Sequence, residues 1–212
     1  MTILAGTVRD LPVRALNLCG LTWTGEFLWF SEPFSARIRA IDSRTGELAG
    51  EVPCPDAIAD LTTVDGRLLQ VVGERRDLRL LDPDSGQTVA EFGNPRPGHV
   101  LTGLEACRDG LWLGYPDLQV LDLRDPHDFR LLDCVPVRRP VAGLTVSDGY
   151  VVYSDHRGAM ITLVDAGRRR EQVAVRVWGN PTGLTWDGSL IWYCDDATLQ
   201  LRAVELPGFQ RF

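Results

Sequence analysis

Gly20-Leu21-Thr22, Asp60-Leu61-Thr62, Gly103-Leu104-Glu105, Gly143-Leu144-Thr145 and Gly183-Leu184-Thr185 are one phrase written five times, at steps of 40, 43, 40 and 40 residues. No helical pattern lies between the marks. A period of about 40–45 residues built from short strands is the signature of a β-propeller, each repeat folding as one four-stranded blade. The expectation is therefore an all-β, five-bladed β-propeller of four-stranded antiparallel blades.

Each repeat has the same internal order. The phrase opens a first strand, which ends at Thr24-Gly25, Asp65-Gly66, Asp109-Gly110, Asp148-Gly149 or Asp187-Gly188. Asp-Gly between apolar runs predicts a type I′ hairpin turn, whose two central residues both need positive φ. A second strand follows at once, as in Phe27-Leu28-Trp29-Phe30 and Leu190-Ile191-Trp192-Tyr193. The third strand ends near an Asp in four repeats, and turns such as Asp42-Ser43-Arg44-Thr45-Gly46 lead into a fourth. The fifth repeat runs out of chain first. Thr2 to Val8 is apolar, β-prone and belongs to no repeat, so it is expected to supply the outer strand of the last blade, closing the ring and hiding an edge. One domain spans 1–212, with blades near 16–53, 54–97, 98–137, 138–179 and 180–207 plus 2–8.

The chain has 212 residues, 44% of them hydrophobic, enough for a large core. No signal-peptide pattern opens it and no apolar run approaches the roughly 18 residues of a membrane span, so a cytoplasmic location is expected. Five cysteines at irregular spacing fit a reducing compartment better than a disulfide framework. Every basic residue is Arg, which points to a high-GC bacterial genome. A net charge of −7 and a pI near 5.0 argue against nucleic acid and acidic membrane surfaces as partners.

In a propeller the loop between strands two and three opens on the same face as the connection to the next blade. Here those loops are the varied ones: Ser31-Glu32-Pro33-Phe34-Ser35, Gly73-Glu74-Arg75-Arg76, Gly114-Tyr115-Pro116-Asp117, Ser154-Asp155-His156-Arg157 and Cys194-Asp195-Asp196. Connections add Asn17 and Cys19, Asp56 and Asp60, His99, Arg138 and Arg139, and Trp178 and Asn180. Variable loops on a rigid scaffold are where binding and catalysis sit. Glu32, Asp155, His156 and Asp195 are the catalytic candidates, expected to converge on a central funnel. Substrate-contact candidates are Glu74, Tyr115, Asp60, His99, Trp178, Asn180, Cys194 and Cys19. Such carboxylates can hold a divalent metal, receive a cationic substrate or work as an acid and base pair, and equally can be solvated groups capping strand ends. No particular cofactor is implied.

The Asp155-His156 pair reads as a general base or metal ligand, or as a surface loop histidine. Cys19 and Cys194 fall at strand ends of neighbouring blades, where a thiol pair can bind a soft metal or simply be buried. Trp29, Trp112 and Trp192 share one repeat position, and Trp23 and Trp186 another, which signals packing between blades. No Gly-rich phosphate loop, zinc helix, nucleophile elbow or EF-hand loop is present.

The repeat resembles the NHL and SMP-30-like propellers. Cys19-Gly20-Leu21, Ser31 through Gly46 and Asp65-Gly66-Arg67-Leu68-Leu69-Gln70 also resemble the five-bladed glutamine cyclotransferases. That family places Gln before the first Gly-Leu and acidic residues in later connections. This chain has Cys19, Ala59 and Ala142 at the nearest matches, and Leu18-Cys19-Gly20-Leu21 stands where SMP-30-like lactonases carry Glu-Gly-Pro. Fold transfers from the resemblance and activity does not. Two function classes follow: a small-molecule-binding propeller, as an enzyme of lyase, cyclase, isomerase or hydrolase type, or a non-catalytic scaffold for a ligand or protein partner.

Overall fold

The structure, a computed structural model, describes residues 3–147 and 149–206. The chain begins with β1 (Ile3–Leu4) and β2 (Thr7–Pro12). Blade one follows as β3 (Leu21–Trp23), β4 (Phe27–Glu32), β5 (Arg37–Asp42) and β6 (Leu48–Pro53), and blade two as β7 (Ala57–Val64), β8 (Arg67–Val72), β9 (Asp77–Leu81) and β10 (Thr88–Phe92). Blade three holds β11 (Gly103–Cys107), β12 (Gly110–Tyr115), β13 (Val120–Arg124) and β14 (Leu131–Pro136). Blade four holds β15 (Leu144–Ser147), β16 (Tyr150–Asp155), β17 (Met160–Asp165) and β18 (Arg170–Arg176). The last blade has β19 (Pro181–Trp186), β20 (Ile191–Asp195) and β21 (Gln200–Val204), with β2 as its fourth strand. Within each blade the strands are antiparallel neighbours, and the first strands contact one another in a ring, β3 to β7, β11, β15, β19 and back to β3. Among the described residues the one helical element is a 3-10 turn, Pro33–Ser35, and no helix is long and apolar enough to cross a membrane.

Ring closure by the N-terminal strand is as expected, but the strand is not Thr2 to Val8. Thr7–Pro12 pairs with β21, Leu11 opposite Leu201, while Ile3–Leu4 lies parallel to β18 on the edge of blade four. Thr2 is outside the described residues. Burial sets the register: Leu11 is 6% exposed and packs with Leu201 and Trp192, whereas Val8 is 53% exposed. Ala5, between the two short strands, bonds to the Arg176 carbonyl and is buried between blades four and five.

The core is divided among the blade interfaces. Leu21, Leu28 and Phe30 of blade one meet Leu11, Trp192 and Leu201 of the last blade, and Ile38 and Val52 meet Leu61, Leu68 and Leu81 of blade two. The leucine of the repeated phrase is fully buried in all five blades, each such side chain contributing about 1.5–3 kcal/mol. Trp112 and Trp192 lie inside such clusters, and Trp23, Trp29 and Trp186 pack against them.

The first turns are less uniform than expected. Both central residues have positive φ at Asp65-Gly66, the type I′ geometry. At Gly25, Gly110 and Gly188 only the glycine does, so these turns are of other types. Asp148 is outside the described residues. Near the axis the chain approaches itself closely: a Cβ on Gly20 would sit 2.6 Å from the Leu61 nitrogen, and one on Gly183 would sit 2.5 Å from the Leu21 nitrogen. The Gly of the phrase is thus required by blade-to-blade contact.

Candidate functional site

Asp60 stands where the other four repeats have Gly, and its carboxylate fills the axis. Oδ1 accepts the Leu21 amide at 3.2 Å, and Oδ2 accepts those of Leu104 at 3.2 Å and Leu144 at 3.0 Å. One side chain therefore ties blades one, three and four to blade two. Gln70, fully buried, donates through Nε2 to the Ala59 and Asp60 carbonyls and accepts from the Ser31 hydroxyl. Two residues along the strand, Glu105 replaces the repeat's Thr. It accepts the Thr62 hydroxyl at 2.7 Å and the Thr145 hydroxyl at 2.9 Å. Burial raises the Asp60 carboxyl well above the usual carboxylate range, opposed by its amide bonds and reinforced by the charge of Glu105. Burial likewise raises Glu105 to about 7, against the two threonine bonds. The Asp60 carboxylate is thus a structural tie between blades, and Glu105 links blade three to the threonines of blades two and four in the same way.

Glu32 and Asp195 do not turn toward that axis. Glu32, 1% exposed, accepts the Leu16 amide at 2.7 Å and lies 2.9 Å from Arg39 Nη1. Asp195, fully buried, accepts the Asn180 amide at 2.9 Å, the Thr198 hydroxyl at 2.6 Å and Arg202 Nε at 2.8 Å. Burial pushes Asp195 up, but Thr198, the Asn180 amide and Arg202 outweigh it and its carboxyl lies below the ordinary value. Arg39 and Arg202 belong to third strands, so both acids point outward along their blades and strap the incoming connection to the sheet. Asp155 accepts the Gly158 amide at 3.0 Å, within its own turn. His156 follows it with Nδ1 buried and unpartnered.

Cys19 donates to the Ala59 carbonyl at 3.1 Å and Cys194 to the Gly20 carbonyl at 3.6 Å. Burial raises both thiols far above neutrality, which disfavours a thiolate nucleophile at either position. All five cysteines are free. Trp178 is 57% exposed, with its carbonyl accepting the Tyr193 hydroxyl. Among the described residues no group of three or more His, Cys, Asp or Glu is arranged to hold a metal ion.

Glu74 and His99 do come together, off the axis. They line a groove of about 1120 Å³ between the Gly73–Asp77 turn of blade two and the 93–100 connection into blade three. Asn94 shapes its floor, donating to the carbonyls of Arg75 and His99 and accepting the Tyr115 hydroxyl at 3.2 Å. Tyr115 is therefore fully buried support beneath the connection. His99 Nδ1 is 2.9 Å from Asp117 Oδ2, and Asp117 Oδ1 accepts the Val100 amide at 3.1 Å. Burial raises the Asp117 carboxyl, but the bonds from His99 and Val100 prevail and hold it below its ordinary value. A carboxylate engaged at Nδ1 fixes the imidazole orientation and leaves Nε2 as its remaining nitrogen, the arrangement of a general base. Asp117 and Arg76, also in this region, were not among the sequence candidates. The repeat alignment gave no signal for Asp117, because the position of Asp155 and Asp195 is taken in blade three by Tyr115 and Asp117 lies two residues further on.

No protein-family model matches the chain, and no curated protein matches it. Solved structures do. Myxococcus xanthus glutaminyl cyclase superposes with a TM-score of 0.77 over 95% of this chain and 96% of that one, at 16% identity. A catalytically inactive variant of Staphylococcus aureus virginiamycin B lyase, solved with quinupristin, superposes with a TM-score of 0.55 over 89% of this chain and 66% of that one, at 17% identity. The chain shares a propeller fold with both.

Proposed function

We propose that this protein binds a small molecule in the rim groove between blades two and three, and that His99, oriented by Asp117, is its proton-transferring group. The groove carries the reading: it is large enough for a metabolite and gathers Glu74 and His99 on the face with the elaborated loops. On the axis, the Asp60 carboxylate is already committed to three backbone amides. One base of this kind serves elimination, cyclisation or isomerisation, so the reaction types in view are those of a lyase, cyclase or isomerase. That the two superposing proteins are named as a cyclase and a lyase supports chemistry on this scaffold, while their substrates are not carried over.

The test is a small-molecule screen by ligand-observed NMR against wild type and two glycine variants. Gly93 lines the groove with nothing near its Cβ direction, so Gly93→Trp fills the groove without backbone strain. Gly50, equally open on a fourth strand, gives Gly50→Trp as the control. Ligands are expected to bind wild type and Gly50→Trp and to be lost in Gly93→Trp. Ligands indifferent to Gly93→Trp would refute the site. For any ligand that is turned over, His99→Gln is expected to abolish turnover and preserve binding. A second reading, a surface for a protein partner, draws on Leu16, Phe34 and Trp178, which are 68%, 77% and 57% exposed in loops of that same face at blades one and five. It predicts that Phe34→Ser and Trp178→Ser leave the small-molecule ligands untouched.

A further inference from the structure

Three arginines line the groove, and two are neutralised there. Arg75 Nη2 lies 3.0 Å from Asp77 Oδ2, and Arg79 Nε lies 2.7 Å from Glu91 Oε1 while its Nη1 donates to the Pro55 carbonyl. Arg76 differs. Among the described residues no carboxylate is within ion-pair distance of its guanidinium and no carbonyl accepts from it. The side chain is partly buried, and burial lowers its proton affinity. Cys19, at the mouth of the axis, is the group whose charge would reach it, but burial keeps that thiol protonated and so no counter-ion. A guanidinium does not deprotonate in a protein, so Arg76, half-buried in the groove and without a counter-charge, is open to pair with an incoming anion.

The backbone holds Arg76 in place. It closes the turn after Gly73 with φ 59, its amide bonding to the Gly73 carbonyl. Ala36, Gln119, Ala159 and Leu199 adopt the same left-handed conformation at the corresponding position of the other blades. Only blade two puts a charge there. The groove also carries Asp56 and Glu74, both exposed and neither in an ion pair among the described residues. Those charges repel a ligand bearing several negative groups, whereas a single carboxylate matches the guanidinium fork.

We propose that Arg76 anchors the carboxylate of the groove's ligand, a small monocarboxylate. This rests on the groove being the ligand site. The test measures Kd by ligand-observed NMR for acetate, lactate, benzoate, their neutral amides and inorganic phosphate in wild type, Arg76→Gln, Arg76→Lys and Gly93→Trp, and follows the Arg76 Nε–H resonance in wild type and Gly93→Trp, which retain it. In wild type the acids are expected to bind at least about tenfold tighter than the amides, the range for a charge-assisted pair. Arg76→Gln should bring acids and amides to parity, and Arg76→Lys should keep part of the preference. Both variants are expected to melt as wild type does, since no intramolecular partner of Arg76 is lost. The inference is overturned if amides bind wild type as well as acids, if the preference survives Arg76→Gln, if phosphate binds tighter than the acids, or if no probe binds. Acids and amides binding alike but excluded by Gly93→Trp would sink the carboxylate anchor and leave the groove standing, whereas binding unaffected by Gly93→Trp would sink both.

Discussion

Glu105→Gln should flatten the pH dependence of stability between pH 5 and 8. Burial raises the Glu105 carboxyl from an unfolded value of 4.5 to about 7 in the folded ring. A carboxyl raised on folding binds its proton more tightly in the native state. Its stabilisation is therefore complete below about pH 4.5 and is lost as pH rises through about 7. At about 1.4 kcal/mol per pH unit, the limit for a carboxylate kept from water is a loss of about 3 kcal/mol across that window, most of it between pH 5 and 8. For a domain of this size that is about 5–10 °C in Tm. Asp60 is raised in the same direction and is coupled to Glu105 through its charge, so the pair titrates together and the variant also eases Asp60. The lowered carboxyls, such as Asp42, Asp82 and Asp122, contribute with the opposite sign, and theirs is lost only as pH falls below their unfolded value of 3.8. The assay is urea unfolding at pH 5, 6, 7 and 8 for both proteins. Wild type should lose stability with rising pH and Glu105→Gln should lose much less; two parallel curves would refute the account of a buried axial carboxyl.

Asp60→Ala leaves the amides of Leu21, Leu104 and Leu144 without their acceptor, and at about 1–3 kcal/mol for each buried orphan the ring should lose at least about 3 kcal/mol in chemical denaturation. Gly183→Ala forces a Cβ to within 2.5 Å of the Leu21 nitrogen, a backbone atom that cannot move aside, so loss of soluble folded protein or a Tm drop of more than about 8 °C is expected. Leu11→Ala empties the contact that seats the N-terminal strand, at a cost of about 2–5 kcal/mol, and hydrogen exchange should quicken first at the amides of Gln200–Val204.

The repeat phrase made blade number and strand order legible because two physical demands recur: a glycine too small to strike the neighbouring blade in four of the five repeats, and in all five a leucine to fill the space between blades. The closing strand was legible in kind but not in place. Val8 and Leu11 are both apolar, and only the partner surface offered by Trp192 and Leu201 decides which of them turns inward. The place of Glu32, Asp155 and Asp195 at the ends of second strands was legible, and the direction of their side chains was not. Glu32 with Arg39 and Asp195 with Arg202 are each seven positions apart across a turn. That spacing makes them diagonal neighbours on adjacent strands, so each acid had a partner in its own hairpin. Arg76 had no such signal. Its significance lies in the counter-charge it lacks, and a missing neighbour is a property of the folded surface.

The two departures from the phrase explain why the site is expected off the axis. A ring of five glycines would leave backbone amides facing a narrow channel with nothing to accept them. Asp60 supplies that acceptor to three other blades through one carboxylate. A ligand entering the channel would have to displace those bonds and leave buried donors unmet, at a cost in closure of the ring that few contacts in so narrow a space could offset. The groove asks no such exchange. Its lining loops are held by Asn94 and Asp117 from below, and its charged groups Arg76, Asp56 and Glu74 are not committed to one another. Substitutions on the axis should therefore register in stability and substitutions in the groove in binding, the separation expected of a scaffold whose keystone and recognition surface are different sets of residues.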